Sequence, residues 1–329
     1  MQRVWPTARG AAGAGGRRQR APRRGGDRTR LPPPWWCGFR DRARHSRERV
    51  GRGAWLSVLL ESIDSSADAL TPVVPRRYVR FVGERAESVH AEVIGEIRFT
   101  IFVEERELVT LMCSAWQLKP LVIGFLYLEG LIESVDDLQM LRVCAEDRLA
   151  EVRLASGFPE VPPRKILTSG CTGGVSFGKY LDQIEQFRVS DDDVRVAPSR
   201  MYEHLRALYE HSSLYRQSGG VHTSIFVERG GSAPRLVAED IGRHNTLDKL
   251  QGMALLQGIP TRGGVMLASG RISSEMLFKA AIMGVPIVGS RTSPTNLALA
   301  VAERLNITVC GYIRQGSMNV YTCPGRIQA

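Results

Sequence analysis

The sequence contains no C-x-x-C pair. Its six cysteines stand apart at positions 37, 113, 144, 171, 310 and 323. That spacing excludes a zinc finger and a dithiol redox pair, and such sparse use suits a reducing compartment, the cytoplasm. P-C-x-x-C, which zinc nucleobase deaminases require, is missing too, so no metal site is expected. There is also no membrane span: the longest apolar suspect, Trp55–Leu60, is far too short and runs into Glu61. No apolar h-region occurs near the start, so no secretory signal is read there. Between Met1 and Met112 there is no methionine, so a downstream start would need a non-AUG codon.

The formal charge of +10 over 329 residues invites a nucleic-acid reading, but the charge is unevenly placed. Residues 1–53 hold fifteen arginines against Asp27, Asp41 and Glu48, a net +12. The rest of the chain carries 29 basic and 31 acidic side chains, a net −2. The Arg/Gly/Pro-rich start has little that could form a core and is expected to be disordered, as a targeting extension or a mis-set translation start. An RNA-binding arginine tail is the alternative; the near-neutral remainder calls for no nucleic-acid partner.

The organisation expected is an extension and linker over 1–76, a small α+β unit over 77–163, and an α/β domain over 164–329. Trp55–Ile63 reads as a short helix and 64–76 as linker. Tyr78–Val82 and Val93–Val103 alternate as strands, with Ile97, Phe99, Ile101 and Val103 on one face. The turn Glu104–Glu107 leads into Leu108–Met112 as a hairpin. Leu121–Leu131 reads as an apolar helix, Asp136–Val143 as a helix turn and Arg148–Leu154 as a strand; Cys113 and Cys144 read as core or edge thiols.

After Pro159–Pro163 comes a loop of small and hydroxyl residues, Thr168-Ser169-Gly170-Cys171-Thr172-Gly173-Gly174, then a helical pattern through Phe177, Tyr180, Leu181, Ile184 and Phe187. A thiol near a helix N-terminus is biased toward thiolate, and the glycines leave the sulfur approachable. A small buried cysteine in a turn is the plainer reading.

A helix is expected from Ser199 as cap, with Met201, Leu205 and Leu208 inward. Strands His222–Val227 and Arg235–Glu239 follow, then a helix Thr246–Leu256 capped by Asn245, with Leu247, Leu250 and Ala254 buried. The last third alternates: strand Val265–Ala268, helix Glu275–Met283 capped by Ser273 or Ser274 and ended by Gly284, strand Pro286–Gly289, a helix begun by Ser293-Pro294 with Leu297, Val301 and Leu305 inward, and strand Thr308–Ile313. Such alternation predicts a parallel α/β sheet. Ligands bind outside the carboxyl ends of such strands. Arg243, Arg271, Arg291 and Arg314 each follow one, a rim suited to the phosphates of a nucleotide or pyrophosphate compound. Solvated arginines paired to Asp240 or Asp248 are the alternative. His244 could serve a phosphate or a proton transfer, or simply pack; His222 reads as structural.

The runs Ser218–His222, Glu239–Lys249, Ser269-Gly270-Arg271 and Tyr312–Gly316, with Gly124–Gly130, resemble the FdhD/NarQ family of formate dehydrogenase accessory sulfurtransferases from about residue 77 onward. The resemblance implies a cytidine-deaminase-like three-layer α/β/α fold without zinc chemistry. It implies a sulfur carrier that accepts persulfide sulfur from a cysteine desulfurase and hands it to the molybdenum (or tungsten) bis(molybdopterin guanine dinucleotide) cofactor, its bound substrate, for formate dehydrogenase. It aligns Cys171 with the persulfide-carrying cysteine and the cofactor segment with Tyr312, Ile313, Arg314, Gln315, Gly316 and Ser317. A homodimer is the usual assembly. Two features depart from the family: Gly174 stands where many members have a second cysteine, and Met112–Pro120 differs from the usual Arg-Thr-Pro-Gly-like segment. The first keeps open a cofactor-binding chaperone without sulfur transfer.

Overall fold

The computed structural model describes residues 71–157, 183–190 and 193–328. The arginine-rich start, the short helix over 55–63, most of the linker, Pro159–Pro163, the Cys171 loop and the first part of the helix after it lie outside the described residues.

Strands β1 (Val73–Val82) and β2 (Arg85–Ile94) form a two-stranded antiparallel ribbon, turned at Gly83 with φ 60°. β1 therefore begins inside the stretch read as linker. The single strand expected over 93–103 is broken at Gly95, where a Cβ would sit 2.6 Å from the Thr71 carbonyl oxygen. Beyond the break, β3 (Ile97–Val103) buries Ile97, Phe99, Ile101 and Val103 completely, as its alternation predicts. β4 (Arg106–Cys113) returns through Glu104 and Glu105, both at positive φ, the two-residue hairpin geometry.

Helix α1 (Leu118–Leu128) follows, then β5 (Leu138–Cys144) and β6 (Leu149–Leu154), in the sheet order β4-β3-β6-β5. The helix turn read over 136–143 shrinks to Val135–Asp137, capped by Ser134, and the remainder is β5. α1 is apolar nearly all round because its faces are used by the sheet and by a second helix.

The main sheet lies in the second half. Helices α2 (Pro198–His211) and α3 (Ser213–Ser218) precede β7 (His222–Val227), β8 (Leu236–Asp240), α4 (Arg243–Gln257), β9 (Val265–Ala268), α5 (Ser274–Ile282), β10 (Ile287–Ser290), α6 (Asn296–Leu305), β11 (Thr308–Arg314) and β12 (Ser317–Thr322). The strand order is β12-β11-β10-β9-β7-β8. α4, α5 and α6 cover one face over Leu247, Phe278, Val301 and Leu305; α2 covers the other with Met201, Leu205 and Leu208. This is a three-layer α/β/α domain, preceded by the smaller α+β unit. None of the described helices is long and apolar enough to cross a membrane.

The last third is parallel as its alternation predicts, and the Gly230-Gly231 turn does send β7 back into β8 as an antiparallel neighbour, so the whole sheet is mixed. β9, β10 and β11 are parallel, while β7 runs antiparallel to both neighbours and β12 antiparallel to β11. A short connection joins each of these strands to its partner, too short for a crossover helix. Three helix starts also differ. Pro198, not Ser199, opens α2 behind Ala197. Thr295 caps α6 in place of Ser293-Pro294, which leaves Leu297 half exposed while Val301 and Leu305 stay buried. Gly242 is the cap of α4, because the Asn245 side chain is engaged elsewhere.

α1 and α4 cross with their backbones touching. A Cβ on Gly124 would lie 1.7 Å from the Asp248 carbonyl oxygen, and one on Gly252 would lie 1.9 Å from that of Pro120. Alanine is the better helix former by about 0.8–1 kcal/mol. Overpacking costs about 1–3 kcal/mol or more, and here the obstacle is backbone, which cannot rotate aside. Gly124→Ala should therefore lower the urea midpoint, with a loss of roughly 1–2 kcal/mol or more; a midpoint at or above wild type would show that the helices can separate freely.

Candidate functional site

Strand direction decides which loops meet. Because His222 pairs with Asp240 and Ser224 with Ala268, both antiparallel, β8 runs the same way as β9, β10 and β11. Their carboxyl ends, and the start of β7, therefore share one edge of the sheet. Arg243, Arg271 and Arg291 follow strands that end there, and Arg314 is the last residue of β11. From β8 to β11 is four strand spacings, roughly 19 Å.

At the β7–β9 end, Gly270 lies against His222 and Arg243: a Cβ on it would sit 3.0 Å from His222 Nδ1 and 3.6 Å from Arg243 Cβ. Ser269 fastens the loop, its amide donating to the Thr223 carbonyl and its hydroxyl accepting from the Thr223 amide. Arg271 is exposed. Burial lowers the pKa of His222, and Arg243 and Arg271 lower it further against the opposing pull of Asp240, so the ring is neutral at physiological pH. At the β10–β11 end, Arg291 is exposed and lies 5.6 Å over the Tyr209 ring. Arg314 donates to the carbonyls of Arg291 and Ile313 and lies 6.0 Å from the Tyr312 ring centre.

The segment 312–317 forms the end of β11 and its turn into β12. Tyr312, Arg314, Gln315, Gly316 and Ser317 are exposed, whereas Ile313 is fully buried against the α2 side of the sheet, so its side chain is not on the rim. The register breaks between Gly311 and Arg314, and Tyr312 takes φ 50° while its amide bonds the Thr292 carbonyl at 3.0 Å. A bulge of this kind re-aims a side chain beside a site; here it turns the tyrosine ring outward.

Beneath the rim, the run Glu239–Lys249 is largely spent on the protein itself. Asp240 and Lys249 are both fully buried and paired at 2.5 Å. Asp240 Oδ1 also accepts from the Gly242 amide and from Asn245 Nδ2, each at 2.8 Å, and Oδ2 accepts from the amide and hydroxyl of Ser114. Lys249 places its three N–H groups on Asp240, the Glu239 carbonyl and Ser114. Glu239 accepts from the amides of Leu214 and Tyr215 at the start of α3. Asp248 pairs with Lys279, so neither aspartate serves a rim arginine as the alternative reading had it.

His244 is buried between helices. Nε2 lies 2.9 Å from the Ser273 hydroxyl and Nδ1 lies 3.6 Å from Glu275. The structure thus sets the ring below the rim among protein partners, not facing outward to a phosphate. Sequence reasoning missed Tyr209, Ser114 and the rim position of His222. Only the last had a signal, since an antiparallel neighbour of the Asp240 strand must start where that strand ends.

Among the described residues no group of three or more His, Cys, Asp or Glu side chains could hold a metal. His90-Ala91-Glu92 does spell the H-x-E half of the zinc-deaminase signature, but it lies on the ribbon strand β2 with His90 and Glu92 exposed. Cys171 lies outside the described residues. Of the described thiols, Cys113 is pushed far up by burial and Cys310 is pushed up to about 12 by the same cause, which makes both poor nucleophiles.

Burial, then Lys279 and Arg243, press the His244 pKa down to about 2 despite the nearby Glu275. The ring is neutral when folded but takes a proton below about pH 6.5 when unfolded. The unfolded state then binds more protons, so this contribution is complete above that pH and is lost as pH falls, approaching about 1.4 kcal/mol per pH unit. His244→Gln should flatten the decline of urea-melt stability between about pH 6 and about pH 4.5. A variant whose decline parallels that of wild type would place the proton elsewhere.

The chain is similar to known proteins in sequence and in fold. The sequence model of the FdhD/NarQ family matches residues 94–328. A protein of Halalkalibacterium halodurans named sulfur carrier protein FdhD is 39% identical over 246 residues, spanning 73% of this chain and 90% of that protein. Its namesake from Bacillus subtilis is 34% identical over 253 residues, 76% of this chain and 95% of that one. Among solved structures, a protein from Desulfotalea psychrophila described as a formate dehydrogenase accessory protein shares the fold, with a TM-score of 0.63 at 24% identity over 78% of this chain and 99% of that one.

Proposed function

The chain belongs to the FdhD/NarQ family, and from that premise we propose that it is a sulfur carrier serving formate dehydrogenase. Cys171 takes sulfane sulfur from the persulfide of a cysteine desulfurase, which leaves the donor as a thiolate. The protein then delivers that sulfur to the molybdenum (or tungsten) bis-guanine-dinucleotide cofactor, its substrate, before the cofactor enters the enzyme; a thiol reductant supplies the two electrons that take the sulfane sulfur to sulfide, and Cys171 is left as a thiol.

The observation that carries the cofactor side of this reading is the shared edge. Arg243, Arg271, Arg291 and Arg314 lie at the ends of codirectional strands, and a pyrophosphate-bearing, guanine-bearing ligand offers the anionic oxygens and aromatic faces that guanidinium groups and Tyr312 engage. Tyr312, Arg314, Gln315, Gly316 and Ser317 supply side chains or backbone from the β11–β12 turn, and Ile313 only its backbone. Support for Cys171 is its setting in a Gly-rich, hydroxyl-rich loop, together with the raised pKa of Cys113 and Cys310.

A cofactor-binding chaperone without sulfur transfer is the second reading, and Gly174 favours it by removing the partner thiol that would release sulfur through an internal disulfide. Mass spectrometry separates the two. After incubation with a cysteine desulfurase and cysteine, wild type should gain one sulfur atom on Cys171, and Cys171→Ala should lose both that adduct and the ability to restore formate dehydrogenase activity in a strain lacking its own accessory protein. Full complementation by the alanine variant would leave the chaperone.

GDP is a fragment of the proposed substrate. A hydrogen bond to a charged group is worth roughly 1.5–3 kcal/mol, so Arg314→Ala should weaken GDP binding in calorimetry about 10-fold to 100-fold while melting stays near wild type. Lysine should rescue only in part, since it lacks the planar fork. Equal binding by all three proteins would remove Arg314 from the site.

A further inference from the structure

We infer that the opposite edge of the main sheet holds a second anion site, built for a small phosphomonoester. A cavity of about 350 Å³ opens there, lined by Arg195, Arg200, His204 and Arg229 with the Gly230-Gly231 turn. β7 runs from the arginine rim at His222 to this cavity at Val227, six residues or roughly 17 Å. The two sites therefore share no side chain, and this inference does not need the sulfur-transfer reading.

The observation pointing to a ligand is His204. It sits on α2, is 2% exposed, lines the cavity, and its Nδ1 has no hydrogen-bond partner. A buried polar nitrogen left unpaired is unfavourable; Nδ1 is shielded as the ring stands, and a turn of the ring about its Cβ–Cγ bond would bring it to a ligand oxygen in the cavity. Burial, then Arg200, lowers the pKa of the ring, with Glu203 opposing; a neutral imidazole still presents one N–H donor.

The charges around it favour an anion. Arg195 spends one N–H on the Val194 carbonyl and Arg200 one on Glu203, and each guanidinium has five. Of the two lining carboxylates, Glu228 is turned toward Arg235 at 3.9 Å and Asp193 is exposed. α2 begins at Pro198 behind Ala197, which is itself in the lining, and adds the partial positive charge of its N-terminus. Three guanidinium groups and an imidazole offer more donors than a carboxylate can accept, which selects the oxygen-rich phosphate dianion. The volume lies near the lower end of the roughly 300–1,000 Å³ typical of small-molecule sites, more than an inorganic ion needs.

The test is a titration of the full chain with ribose 5-phosphate, inorganic phosphate, ribose and acetate. Binding is followed by calorimetry and by the imidazole resonances of His204, assigned through their loss in His204→Gln. Ribose 5-phosphate should saturate and shift those resonances, inorganic phosphate should bind more weakly, and ribose and acetate should do neither. Arg200→Ala and Arg229→Ala should each weaken the ribose 5-phosphate response at His204 about tenfold, and Arg314→Ala should leave that response unchanged. Arg229 is exposed, so its variant keeps the test intact if replacing a buried group disturbs folding. No saturable shift at His204, equal binding of acetate, or sensitivity to Arg314 in place of Arg200 and Arg229 would overturn the site.

Discussion

Two full charges buried against each other, Asp240 and Lys249, set the geometry on which the rest depends. Taking both from water is costly, and the pair stands only because every polar position on it is answered. The answers come from distant parts of the chain: Ser114 lies 126 positions from Asp240 and brings with it the end of β4. Asn245 reaches from α4 to both Asp240 and the Met112 carbonyl. The smaller sheet is thereby pinned to the larger one at the point where β8 ends and the arginine rim begins. Removing one member of such a pair typically costs about 3–5 kcal/mol, because the other is left charged and buried. The segment Met112–Pro120 is the one that supplies Ser114.

α4 is the element through which these constraints pass. One side meets α1 backbone to backbone at Gly124 and Gly252, which permits no side chain between them. Another holds Asp248 to Lys279 and His244 to Ser273, tying α4 to α5. Thr246 bonds Ser224 on β7. A helix so rich in polar residues and yet so buried is stable because those residues bond one another across elements. Of the run Glu239–Lys249, only Arg243 stands beside the rim. The buried charges build the platform, and Arg271, Arg291 and Arg314 stand exposed above it.

The mixed sheet divides its chemistry between its two edges. At the carboxyl edge, four codirectional strands bring arginines, His222 and the β11–β12 turn to one line. At the other, α2 and the β7–β8 turn line a cationic cavity of about 350 Å³. Strand direction, which the antiparallel pairing of β7 reverses relative to its neighbours, decides which loops fall on which edge.

Much of this was legible in the sequence wherever the cause is local. Two-residue alternation exposes β3, a short apolar run bounds β9, Ser273 caps the helix it precedes, and arginines follow strands by position alone. The α/β class followed from the alternation of such elements. Other features have nonlocal causes and could not be read. The Gly230-Gly231 turn showed that β7 reverses into β8, but the insertion of β7 beside β9 and the return of β12 along β11 depend on which strand each pairs with. Asn245 looks like a helix cap until Asp240 and Met112 claim its amide, and Leu297 looks inward until α6 starts at Thr295. The amino-acid sequence by itself determined the periods, the turns and the supply of arginines and thiols. Only the tertiary structure decided which charges are buried and which face outward, because a carboxylate followed by a lysine reads the same in water as in a core, and the difference lies in partners more than a hundred residues away.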